Sequence, residues 1–384
     1  MRKAAPGDLG LVDGVALAHD ASQTAVRLPS KKRQIGLIVN DGRQQREHPS
    51  GLGFGDKQER VVRTNQQPDV ADVLLVDGNA LRHPRSMTAR LQKVDPGAPP
   101  GQAPAMSERV SLGGKTLFIT GATRGIGLAI ALRAARDGAH IAVVGKTQTP
   151  HPDLPGTLDS ACADIEAAGG QAIPLLCDVR DEAQVERAVA TTVSHFGGID
   201  VLVNNASAIF LAGTVDTPMK RFDLMQQVNV RGTYLSGQKC IPHLARAQNP
   251  HILTLSPPLD FRTEHFAPHL AYSLAKFGMS LCALAWAEEL RPLGIAANCL
   301  WPRTVIDTAA VRNLLGGASV AQHARKADIV ADAAFEILSR KAADFSGHFA
   351  IDEEILRESG VTNFESYAVT PGAELMTDLF LPKD

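Results

Sequence analysis

A chain of 384 residues, 44% of them hydrophobic and 21% charged, can bury a sizeable core in one large domain or two ordinary ones. Its formal net charge of -2 argues against a general nucleic-acid or membrane-surface binder. The five cysteines (Cys162, Cys177, Cys240, Cys282 and Cys299) are scattered, without zinc-ligand spacing, and no metal site is expected. They read as reduced thiols in a cytoplasmic chain, since no secretory apolar segment opens the sequence. The longest apolar run, around Met279–Ala287, falls well short of a membrane span.

Residues 1–105 and 106–384 differ in texture. The first stretch is rich in Arg, Gln, Asp, Gly and Pro, holds no helical or strand periodicity, and closes on the Pro/Gly-rich segment Asp95–Pro104. Three readings compete for it: a disordered extension, a small interaction module, or an upstream stretch with the native chain starting at Met106. The last is favoured. Asp8, Asp13 and Asp20 count against an organellar transit peptide.

From Thr116 the pattern alternates. Apolar runs predict strands at Thr116–Thr120, His140–Val144, Ala172–Cys177, Ile199–Asn204, His251–Leu255, Ile295–Leu300 and Gly347–Ile351. Between them, helical periodicity predicts Ile126–Arg136, Leu158–Ala168, Glu182–Phe196, Arg221–Cys240, Ala271–Arg291 and a helix around Asp328–Leu338. Buried strands joined by helical crossovers imply an α/β doubly wound parallel sheet of the Rossmann type, a single domain following a low-order extension.

The first strand runs into Gly121-Ala122-Thr123-Arg124-Gly125-Ile126-Gly127 and then a helix. Gly121 suits a tight turn, Gly125 a close backbone approach to a pyrophosphate, and Gly127 close helix packing, with the helix N-terminus favouring phosphate. A glycine triplet alone would be a capping turn. After the first strand of a βαβ unit it reads as a dinucleotide site. At the end of the second strand stand Gly145 and Lys146, with Arg124 in the loop and no carboxylate to hold a ribose hydroxyl. Two cations there favour NADP(H) over NAD(H), although Lys146 alone could equally be a solvated lysine.

The spacing TGxxxGxG, with Tyr272-Ser-Leu-Ala-Lys276 further on, resembles the short-chain dehydrogenase/reductase family. The resemblance runs from about Leu112 to the C-terminus. Lys146-Thr147, Thr217–Met225, Leu255–Pro258 and Leu300–Thr304 resemble its hydroxysteroid dehydrogenase-like branch, whose longer members carry a further sterol-carrier domain. On a helix, residues four apart share a face, so the Tyr272 phenol and the Lys276 ammonium converge, and the cation is expected to lower the phenol's pKa toward use as a general acid/base. The resemblance implies that Asp178 bonds the adenine, Asn204 lies at the adenosine ribose, Lys276 bonds the nicotinamide ribose, and Asn229 holds a water in a proton relay. Asn205 is expected to tie strands together. Ser207 stands where the family's NNAG motif has its glycine.

Ser256 is the candidate to polarise a substrate carbonyl, yet sixteen residues separate it from Tyr272 and the family's serine position falls nearer Pro257. Arg303 replaces a glycine in the loop expected beside the carboxamide, and Ala309–Ala324 is expected to form a substrate lid. The expected activity is hydride transfer between NADP(H) and a small-molecule carbonyl or secondary alcohol by a homo-dimer or homo-tetramer. The alternative is an NADP(H)-binding regulatory or scaffold protein with little turnover.

Overall fold

The structure is a computed structural model that describes residues 109–151, 154–314 and 317–382. The stretch 1–105 lies outside the described residues, and so do the readings given for it.

Seven parallel strands form one sheet in the order β3-β2-β1-β4-β5-β6-β7. They are β1 (Thr116–Thr120), β2 (His140–Gly145), β3 (Gln171–Leu176), β4 (Val201–Asn204), β5 (His251–Leu255), β6 (Ala296–Trp301) and β7 (Phe349–Ile351). All seven sit within a residue or two of the positions their apolar runs predict. Strand β1 is buried on both faces, with Leu117, Phe118 and Ile119 fully inaccessible, as a parallel sheet covered on both sides requires. On one face, α1 (Gly125–Ala135), α2 (Leu158–Ala167) and α10 (Asp328–Leu338) pack Ile130, Ile165 and Ile337 against Leu117 and Ile119. On the other, α3 (Glu182–Phe196), α5 (Gly232–Leu244) and α7 (Leu270–Glu289) pack Val189, Leu235 and Trp286 against Phe118 and Ile252. Gly237 lets α5 meet α7, since a Cβ there would lie 2.3 Å from the Trp286 ring.

The helix expected over Arg221–Cys240 is not uniform. It runs as α4 (Met219–Met225), a π-helical stretch Gln226–Arg231, and α5, which continues to Leu244 through Pro242. The π stretch contains Asn229, whose side chain is drawn to the backbone of Ala208 beyond β4. Inserted π turns commonly mark functional positions in helices.

The helical stretch Thr263–Glu289 is long and apolar enough to cross a membrane, contrary to the short run expected there, because it joins α6 (Thr263–Phe266) to α7. Its most apolar window is 61% buried within the fold. That is how the core helix of a packed sheet meets the same test.

The order reverses between β3-β2-β1 and β4 onward, so the loops after β1 and β4 open a crevice at the C-terminal edge of the sheet. A doubly wound sheet binds its ligands there.

Candidate active site

The loop after β1 is built for a close backbone approach. Gly121 and Gly125 have φ of +70° and +58°, a region that side chains rarely enter. A Cβ on Gly127 would sit 2.5 Å from the Asn205 amide and 2.6 Å from the Gly121 carbonyl. Asn205 donates to the carbonyls of Thr120 and Gly121 at 2.9 and 3.1 Å, so it ties β4 to the glycine turn. Ala122 and Thr123 are buried beneath the loop, while Arg124 and Ile126 are partly open.

Arg124 donates from Nε to the Pro155 carbonyl at 2.8 Å and from Nη2 to Gly156 O and Thr147 Oγ1 at 2.7 and 3.0 Å. It therefore seats the loop after β2 on the glycine turn. Lys146 is exposed, with its Nζ 3.3 Å from Asp178. Asp178 also takes a forked contact from Arg180, which with Lys146 holds its carboxyl well below the usual carboxylate range.

Asn204 is 1% exposed, and neither side-chain polar atom has a partner among the described residues. A buried, unsatisfied amide at the crevice suits the hydroxyls of a nucleotide ribose. With the positive-φ glycines, it makes the residues present a fit for a dinucleotide. Arg312 and Thr308, beside Arg124 and Gly125, complete a cleft of about 210 Å³ at the mouth of the loop.

Tyr272 and Lys276 occupy successive turns of α7, 5% and 3% exposed. Lys276 donates to the Leu255 carbonyl at 2.8 Å and lies 5.2 Å from the centre of the Trp301 ring. Burial pushes its pKa down to about 8. The tyrosine departs from expectation. Burial first, and then the nearby Asp378, push its pKa above the ordinary phenol range. The cation of Lys276 does not reverse this, because the site is covered and the charged form loses its hydration. The Ser207 side chain works against the rise, without cancelling it.

The cover is a segment that sequence reasoning did not single out. Phe380 is 2% exposed, with its ring centre 6.0 Å from Tyr272, 5.7 Å from Trp301 and 5.4 Å from His269. It adopts a φ of +68°, unusual for a bulky residue. Trp301 Nε1 donates to Leu379 O at 2.9 Å, and Asp378 N donates to Arg303 O at 3.0 Å. The Asp378 carboxyl is pushed up to about 7 by burial and by Asp352. Arg303 thus links the end of β6 to the C-terminal segment, and its backbone N–H donates to the Asp352 carboxyl at 2.8 Å. The Ala309–Ala324 segment, expected to form a substrate lid, carries α8 (Ala309–Leu314) and α9 (Gly317–Ala321), with Thr308 against Gly125.

Two further candidates are both fully buried. Asn229 is fully buried, accepting from Ala208 N at 2.7 Å and donating to Ala208 O at 3.0 Å, so its side chain clamps the chain beyond β4. Ser256 is fully buried, and its hydroxyl donates to Cys299 Sγ at 3.3 Å. It points between β5 and β6 beneath α7, where Ser280 holds the Pro257 carbonyl at 2.6 Å. The structure does not bring Ser256 to the tyrosine. Ser256 stands just past the last residue of β5, where its backbone N–H donates to Thr254 O at 2.9 Å and the chain turns.

The sequence pattern described as short chain dehydrogenase matches residues 115–316. Hydroxysteroid dehydrogenase-like protein 2 of Danio rerio is 56% identical over 270 residues, covering 70% of this chain and 64% of the relative. The Homo sapiens protein of that name is 53% identical over the same shares. The chain therefore spans less than two thirds of these relatives' length.

A short chain dehydrogenase of Mycobacterium thermoresistibile is 53% identical with a TM-score of 0.68, over 71% of this chain and 96% of that one. Another, from Burkholderia cenocepacia J2315 in complex with NADP, is 28% identical with a TM-score of 0.55, over 63% and 97%. A carveol dehydrogenase of Mycobacterium avium in complex with NAD, 23% identical, shares the fold. With its seven-stranded sheet, its glycine turn and the Tyr272–Lys276 pair on α7, the chain belongs to the short-chain dehydrogenase/reductase family.

Proposed function

We propose that this protein is an NADP(H)-dependent oxidoreductase that interconverts a small-molecule carbonyl and a secondary alcohol, with Tyr272 as general acid/base. The observation that carries it is arrangement: Asn205 at the end of β4 is tied to the glycine turn, and Tyr272 and Lys276 stand buried one helical turn apart on α7, with Lys276 bonded to the end of β5. A bound nicotinamide would supply or accept the hydride.

The chain's own residues would do the rest. The glycine turn and the N-terminus of α1 would receive the pyrophosphate. Lys146 and Arg124 would face the 2′-phosphate, Asp178 the adenine and Asn204 the adenosine ribose. Tyr272 keeps its proton at neutral pH because its burial disfavours phenolate. That is the form required to protonate a carbonyl oxygen when the reaction runs as a reduction. Lys276, cationic below about pH 8, would stabilise the phenolate left behind and bond the nicotinamide ribose. Asn229 supports the relay by fixing the segment that carries Ser207.

A reducing, cytoplasmic location goes with five free thiols. A homo-oligomer goes with Tyr234 on α5 and Leu281 and Leu284 on α7, exposed apolar side chains that suit a self-contact.

The test is NADPH oxidation over a panel of ketones, aldehydes and 3-oxoacyl thioesters. Wild type should turn over at least one class, and Tyr272→Phe should lose about 10²–10⁴-fold with NADPH affinity retained. The NADP-binding scaffold remains the second reading, favoured by the covered tyrosine and the inward Ser256. It would be supported by tight NADPH binding with no turnover across the panel. Fluorescence titration tests the cofactor preference, and tighter binding of NADH than NADPH would overturn the assignment to Lys146 and Arg124.

A further inference from the structure

We propose that the Phe380 ring occupies the seat of the substrate's apolar flank over Tyr272, and that residues 376–381 form a strap displaced by a carbonyl bearing a ring-sized hydrocarbon group. The inference rests on the carbonyl-reductase reading above and names the specificity-determining residue within it.

Three observations converge. The first is obstruction. A general acid must come within about 2.6–3.2 Å of the oxygen it protonates. Tyr272 is buried, and the ring centre of Phe380 stands 6.0 Å from its own. A substrate cannot reach a buried phenol until its cover moves.

The second is the hold on the segment. Residues 376–381 belong to no helix or strand. They are pinned by a single bridge between Thr304 and Thr377, by Asp378 N donating to Arg303 O at 3.0 Å, and by Trp301 Nε1 donating to Leu379 O at 2.9 Å. Val305 N and His323 O hold Met376 at 2.9 Å each. Phe380 has the one positive φ among the described non-glycine residues, so the covering conformation is strained. A segment tied by a few loop bonds opens more readily than the sheet beside it.

The third is the character of the seat. The ring centres of His269, Phe277 and Trp301 lie 5.4, 5.5 and 5.7 Å from that of Phe380, in tilted or edge-on contact. Met225 and Ile351 belong to the same apolar cluster. Such a seat suits an aromatic or cyclic hydrocarbon through ring-edge contacts and rejects a charged group, which would lose its hydration there. Opening also carries away the Asp378 carboxyl, which disfavours the phenolate.

Acetophenone, whose phenyl group matches the Phe380 side chain, is the probe, with acetone as its ring-free counterpart. Hydrogen exchange read by mass spectrometry follows the wild-type strap with NADP⁺ alone and with NADP⁺ plus acetophenone, a pair that cannot turn over. Kinetics with NADPH compare wild type with Phe380→Gly, whose backbone accepts a positive φ, and with Trp301→Phe, which removes the bond to Leu379 and keeps a ring. Trp301→Phe decides if Phe380→Gly does not fold. The expected result is faster exchange of the amides of residues 376–381 when acetophenone is added. The acetophenone KM should fall about tenfold or more in Phe380→Gly, which gives up the ring contacts. It should fall about fivefold in Trp301→Phe, the weight of one hydrogen bond. In both, kcat should change less, since a closed fraction raises the apparent KM, and the acetone KM should fall less than that of acetophenone in Phe380→Gly. Unchanged exchange, or no fall in the acetophenone KM, overturns the strap, and a wild type that reduces other carbonyls then keeps the reductase reading. Turnover that appears only in Phe380→Gly upholds both. No turnover of any carbonyl by the three proteins overturns the reductase reading and the strap with it.

Discussion

A phenol and an ammonium buried one helical turn apart push each other's chemistry less than their surroundings do. Desolvation raises the Tyr272 pKa and lowers that of Lys276 to about 8, each toward its neutral form. Because burial disfavours the charged lysine, its cation is present below about pH 8 and lost above it. Carbonyl reduction should therefore run at constant kcat from pH 6 to about 8 and fall beyond. A kcat–pH profile checks this, and in Lys276→Ala the limb should vanish while turnover drops by about 10²-fold or more. A profile that stays flat to pH 10 in the wild type would show that the lysine cation has no part in the rate.

At the scale of elements, two contacts decide whether the site exists and whether it is open. The glycine turn has no room for a methyl group at Gly127, where Asn205 and the Gly121 carbonyl close in. Gly127→Ala should destabilise the fold by about 1–3 kcal/mol and weaken NADPH binding, read by urea denaturation and fluorescence titration. The C-terminal segment lays Phe380 over Tyr272, Trp301 and His269. Phe380→Ala should cost about 3–5 kcal/mol and let water reach the phenol. The Tyr272 ionisation would then move toward about 10, followed by phenolate absorbance against a Tyr272→Phe blank. An unchanged titration would mean that other groups keep the phenol dry.

For the molecule as a whole, buried acids set part of the pH dependence of stability. Asp352 is fully buried at the start of α11 (Asp352–Glu358), and burial raises its pKa from 3.8 to about 6. The folded chain then holds a proton that the unfolded chain has released. This contribution to stability falls as pH rises from about 4 to about 6, by up to about 1.4 kcal/mol per pH unit. His251, pushed down to about 4 from 6.5, acts in the opposite sense, its contribution rising with pH across that span. The difference between wild type and Asp352→Asn isolates the aspartate: the variant should lose the falling slope, read by urea denaturation from pH 4 to 7. If α5 and α7 form the proposed self-contact, the wild type should sediment as a dimer or tetramer and Leu281→Glu on α7 as a monomer; a wild type that sediments as a monomer overturns it.

The sequence by itself determined the seven strands and their parallel order of burial, because a strand covered on both faces must be apolar throughout and turns must be polar. It also determined the glycine turn and the Tyr272–Lys276 pair, because a positive-φ backbone and an i, i+4 helix face are local requirements. Only the tertiary structure decided that Ser256 points at Cys299 and that Asn229 spends its amide on Ala208. It alone decided that Phe380, more than a hundred residues along the chain, seals the site. Those outcomes depend on which loops meet at one edge of the sheet, and no periodicity within a segment encodes a contact between segments.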